Sequence, residues 1–205
     1  MDKITPTVIV ALVIGAIIGY LVHGQPAANK SASNETMQAS AQPSAEAGSK
    51  EGKIQNAMTA ALPAVSKDAT ILDWPEKESA EPTELQKGTN DWTCLPDYPV
   101  SPGNDPICAD KSAMQWFQAY MAHKEPKLTQ VGLAYMLQGS SDASNTDPFA
   151  TEPPAGQEWM TAPAHVMVFP TGKLDQSLYG TDYKSGKSWI MYPGTPYEHL
   201  MIPVQ

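Results

Sequence analysis

The first fifty residues divide the chain before any motif is read, an apolar run followed by a polar tract. Residues 4–22 are 19 mostly apolar residues without a charge; residues 25–53 are a tract of Ala, Ser, Gln and Pro with a few charges. A bilayer core about 30 Å thick needs about 20 apolar residues in helical form, so residues 1–23 read as a single transmembrane helix that anchors the chain. A cleaved signal peptide is the competing reading, with an apolar part of about 7–15 residues and a small-residue cleavage site; Val22-His23-Gly24 could serve as that site. Lys3 precedes the run and residues 23–29 add no positive charge after it. The positive-inside rule therefore leaves the N-terminus in the cytoplasm and residues 24–205 in the periplasm, held at the inner membrane. Gly15 and Gly19 form a G-x-x-x-G pair on which two such helices can dimerise.

Residues 24–53 have almost no large apolar side chains and read as a disordered tether. Residues 54–205 are then one extracytoplasmic domain, large enough to bury a core. The chain carries a net charge of −9, and its 13 basic residues are all Lys. Phosphate recognition depends on positive charge and on the guanidinium fork, so nucleic acid is excluded as a partner, leaving an envelope protein or a small ligand. Cys94 and Cys108 are the only cysteines. An even count outside the cytoplasm reads as a disulfide, and the pair lacks the C-x-x-C spacing that zinc sites favour.

Helical spacing of Ile54, Met58, Ala61 and Leu62 predicts a short helix over 54–65, ended by Pro63. Asp110 as N-cap, followed by Ala113, Met114, Phe117, Tyr120 and Met121, predicts the longest helix over 110–124. Strands are expected at 70–74, 128–138, 164–169, 188–192 and 198–204, one or two helical turns at 172–179, and a long loop at 139–156. The expected fold class is α+β: a small mixed or antiparallel sheet packed by one long and one or two short helices, preceded by the transmembrane helix.

The segments Trp92-Thr93-Cys94-Leu95-Pro96-Asp97, Ser144-Asn145-Thr146-Asp147-Pro148-Phe149-Ala150-Thr151 and Gly194-Thr195-Pro196-Tyr197 resemble a family of exported bacterial proteins with no assigned activity. The resemblance spans roughly residues 68–205. It implies one intact exported domain and no reaction, cofactor or ligand.

The most specific chemical pattern is a repeated His-x-Met. His165-Val166-Met167 and His199-Leu200-Met201 both fall in expected strands, where period two puts each His on the face of its Met. Val166, Val168, Leu200, Ile202 and Val204 then form the other face, as core positions. Were the two strands neighbours in register, two imidazoles and two thioethers would converge, a donor set suited to copper, and His123 could add a third imidazole. A second candidate is the loop carrying Asp142, Asn145 and Asp147, with Glu152 beyond; its oxygens suit calcium, but the EF-hand spacing is absent and such residues commonly cap turns. Ser185-Gly186-Lys187-Ser188 echoes a phosphate loop without its earlier Gly or a following helix, and reads as a polar turn. A hydrolase would need a composite site, for example His123 or His165 with Asp97, Asp105 or Asp147. The leading expectation is a non-enzymatic binding or accessory domain of the envelope, with copper binding and hydrolysis as alternatives.

Overall fold

Short runs of small and apolar residues build one wide sheet. The computed structural model describes residues 46–75, 77 and 81–204. Its elements run α1 (Lys50–Met58), α2 (Pro63–Ser66), β1 (Thr70–Asp73), β2 (Thr83–Gln86), β3 (Trp92–Leu95), β4 (Ile107–Asp110), α3 (Lys111–Met121), β5 (Gly132–Met136), β6 (Ser140–Asp142), β7 (Met160–Ala162), β8 (His165–Phe169), α4 (Gln176–Tyr179), β9 (Trp189–Met191) and β10 (His199–Pro203). Eight strands form the sheet in the order β2-β1-β3-β4-β5-β8-β10-β9, and β6 pairs with β7 in a separate ribbon. Within the sheet only β1 and β3 run parallel.

Asp110 positions α3. One carboxylate oxygen accepts the Ala113 N–H at 2.8 Å, as an N-cap does, and the other accepts the Leu133 N–H at 2.9 Å. That second bond ties the start of the helix to β5. Gly132 lets the two backbones meet, since a Cβ there would lie 2.6 Å from the Ala113 nitrogen. The helix therefore covers the sheet face that carries Gly132, Ala134 and Met136, and Trp116 is its buried wedge.

The opposite face is covered only in part. Over β1, β3 and β4, Ala57 and Ala60 pack onto Ile71, Cys94 and Cys108. Lys53 anchors α1 to Asp73 at 2.6 Å, and Asn56 accepts the Asp97 N–H at 2.7 Å. Cys94 and Cys108 face each other across β3 and β4 and form a disulfide. Further along that face Leu133, Val166, Val168 and Ile202 are half-buried. The outer margin of β9 is occupied: the Ile190 N–H donates to the Gly180 carbonyl at 3.0 Å and the Tyr192 N–H to the Asn145 carbonyl at 2.8 Å.

The sheet is thus large and mostly antiparallel, with few helices, and this corrects the small sheet expected from sequence. Strands β2, β3, β4, β6 and β7 have three or four residues each, too short for an alternating pattern to emerge among Pro, Asn and Gly. The single helix expected over 54–65 is two: α1 stops at Met58, and Pro63 opens α2 at its first turn. The anchor expected at 1–23, its Gly15 and Gly19, and the tether up to residue 45 lie outside the described residues. The last tether residues, 50–53, belong to α1. Among the described residues no helix is long and apolar enough to cross a membrane.

Candidate functional site

The two His-x-Met strands are neighbours, and their register decides what converges. Met167 stands directly opposite Met201, and His165 opposite Pro203. On the far side of β8, Met136 stands opposite His165 and Ala134 opposite Met167; on the far side of β10, Trp189 stands opposite Met201 and Met191 opposite His199. Directly opposed residues share a face. Met136, His165, Met167, Met201 and Trp189 therefore make one continuous patch. His165 borders the Met pair at one end and His199 at the other, four residues apart in register, or about 13 Å along the strands. The two imidazoles do not meet at one point, which corrects the expectation of a paired-His site.

That face is also the better buried one. His165, Met167, His199 and Met201 are all buried, whereas on the other face Leu200 and Ile190 are buried but Val166, Val168 and Ile202 are only half-buried. The cause is α3, which Gly132 admits on the His/Met side, together with Met160 and Ala162 of β7, which join the same core cluster. Met136 and Trp189 join the patch although sequence reading did not select them. Both faces of residues 131–137 are apolar, so alternation alone did not show which face was inward.

Each buried ring is held by a backbone carbonyl two residues earlier: His165 Nδ1 lies 2.7 Å from Pro163 O and His199 Nδ1 3.0 Å from Tyr197 O. A carbonyl only accepts, so both nitrogens carry the proton. Burial lowers the pKa of both rings, that of His199 to about 4, and they remain neutral imidazoles near neutral pH. His199 packs against Trp116 and Phe169, with ring centroids 5.1 and 5.0 Å away. The Nε2 of His165 is buried and has no hydrogen-bond partner.

His123 does not join them. It follows α3 with φ 53° and stacks its ring on Phe149 at 4.1 Å. The long loop is also employed differently from a calcium site. Asn145 Oδ1 accepts the Trp189 indole N–H at 3.1 Å, and its Nδ2 donates to Thr181 O at 3.1 Å. Asp147 accepts the Phe149 N–H at 3.0 Å, while Asp142 accepts the Ser140 hydroxyl at 3.0 Å. Among the described residues no three His, Cys, Asp or Glu side chains are grouped to hold a metal ion. The hydrolase candidates separate likewise: Asp97 accepts the Asp105 N–H at 2.7 Å, and His165 lies among methionines.

Asp142 is a titrating group in this region. Burial, with a smaller contribution from the Asp105 charge, raises its pKa to about 6. The unfolded chain then loses this proton first, so Asp142 favours the fold below about pH 4 and that contribution is lost as pH rises through about 6. Asp142→Asn keeps an acceptor for Ser140 and removes the charge. The residue still touches water, which screens the charge, and we expect the variant to be more stable than the parent by about 1–2 kcal/mol at pH 7.5. Urea unfolding at pH 7.5 and pH 4 checks this, with the difference falling to about half a kcal/mol or less at pH 4.

Compared with protein-family models, curated proteins and solved structures, the chain matches none.

Proposed function

We propose that the chain is a membrane-tethered, extracytoplasmic domain that works by binding rather than by catalysis. The observation that carries this reading is the Cys94–Cys108 bridge, buried beneath α1, because such bonds form and persist in oxidising compartments. The order of the sequence supports it: an apolar run at 4–22, a polar tract, then the domain. A flexible tether of about 20 residues, ending ahead of α1, allows a domain to search tens of ångströms around its anchor and raises its local concentration near a membrane partner.

Three carboxylates are engaged in holding backbone, which favours a structural role for them over catalysis. Glu198 accepts the N–H groups of Leu174 at 2.9 Å and Gly194 at 3.0 Å, and Asp110 and Asp97 are committed in the same way.

The test uses full-length chain in a Gram-negative host. Added protease should degrade residues 46–205 in intact spheroplasts, and alkylation should find both cysteines blocked until a reductant is supplied. A protected domain with two free thiols would overturn the reading.

A further inference from the structure

The geometry points to a binding site for one soft monovalent metal ion, of the Cu(I) and Ag(I) class, formed by His165 with Met136, Met167 and Met201. Pro163 O can only accept a hydrogen bond, so its contact with Nδ1 fixes the proton there. Nε2 is left as a bare lone pair in a buried position with no donor to satisfy it. Holding one imidazole nitrogen on a backbone carbonyl while the other faces inward is how ligating histidines are oriented.

The residues paired with His165 or beside it on this face are soft. Met136 lies directly across β5 from His165, Met167 is two residues along β8, and Met201 is opposite Met167. All three are buried on the same face. Opposed side chains in a sheet have Cβ atoms about 4.5–5.5 Å apart, and thioethers are flexible enough to turn toward one point. The Trp189 ring lies 6.4 Å from the His165 ring, so an indole is available to a cation in the patch.

Neutral imidazole and thioether select Cu(I)-type ions by softness. The patch contributes no anionic ligand, which favours one positive charge over two, since unpaired buried charge is costly. His199 is not a ligand, because its ring is packed into the aromatic cluster of Trp116 and Phe169 at the other end of the Met pair. The compartment rests on the binding-domain reading, but the affinity does not, so the titration below can fail while that reading stands, and the reverse.

Full-length chain in detergent is titrated with silver nitrate in chloride-free buffer. Silver needs no reductant, so the disulfide stays closed; among the described residues no free cysteine competes. We expect one equivalent to bind, with NMR shifts at His165 Nε2 and at the methyl groups of Met136, Met167 and Met201. Met167→Leu/Met201→Leu preserves volume and apolarity while deleting two thioethers. It should bind about 100-fold more weakly, with a metal-free thermal midpoint within about 3 °C of the parent. No saturable binding, equal affinity in the variant, or shifts confined to other His and Met residues would each overturn the site. If the variant does not fold, the shifts in the parent protein decide alone.

Discussion

Trp116→Ala should cost the domain about 3–5 kcal/mol, the range for deleting a large aromatic side chain from a core. Trp116 is buried between α3 and the sheet. Its ring centroid lies 4.6 Å from that of Phe169, 5.1 Å from His199, and 5.2 Å from both Phe117 and Tyr120. Contacts of this kind add about 0.5–1.5 kcal/mol per pair beyond area burial. They also join elements distant in sequence, so removal detaches α3 from β8 and β10 together. Leu178→Ala is the control: Leu178 is 69% exposed, and its loss should change stability by no more than about 0.5 kcal/mol. Denaturant unfolding of the two variants side by side provides the measurement. Equal, small effects would show that the aromatic cluster does not carry the fold.

Opening the Cys94–Cys108 bridge should cost about 3 kcal/mol. The two residues are 14 apart, and closing a loop near 15 residues is worth about that much in the chain-entropy model. For a domain of this size the loss corresponds to a fall of about 6–12 °C in thermal midpoint. Both sulfurs lie under α1 beside Ala57 and Ala60, so damage should concentrate there. Hydrogen exchange with and without reductant should show protection lost first over residues 50–66, while β8 and β10 keep theirs. Uniform loss would mean that the bridge stabilises the sheet as a whole.

What the sequence revealed depended on element length and on contrast between faces. Helix α3 was legible because a capping Asp and an apolar stripe agree over three turns, and β8 and β10 because each is a five-residue apolar run bounded by Pro or Gly turns. Strands of three residues such as β6 and β7 carry no period. The orientation of the central strands was not legible either. Val166 and Val168 look more like core than His165 and Met167, and the choice was settled by Gly132, a residue in another strand that admits a helix on one side. The His-x-Met repeat was visible in the sequence, but its register came from strand pairing that no single strand encodes. That pairing sets Met167 opposite Met201 and leaves His165 and His199 at opposite ends of the pair.

The outer margin of β9 has a consequence for behaviour at high concentration. An unpaired strand edge is a template on which a second chain can add, and fibrils grow that way. Here the Gly180 and Asn145 carbonyls already occupy the outward N–H groups of Ile190 and Tyr192. Gly180 holds its place with φ 69° and ψ −176°, a conformation open essentially to glycine alone. A side chain at that position would draw the carbonyl away and bare the strand. The resulting weakness would be a tendency to self-associate rather than to unfold, and it would appear as turbidity well below the melting temperature.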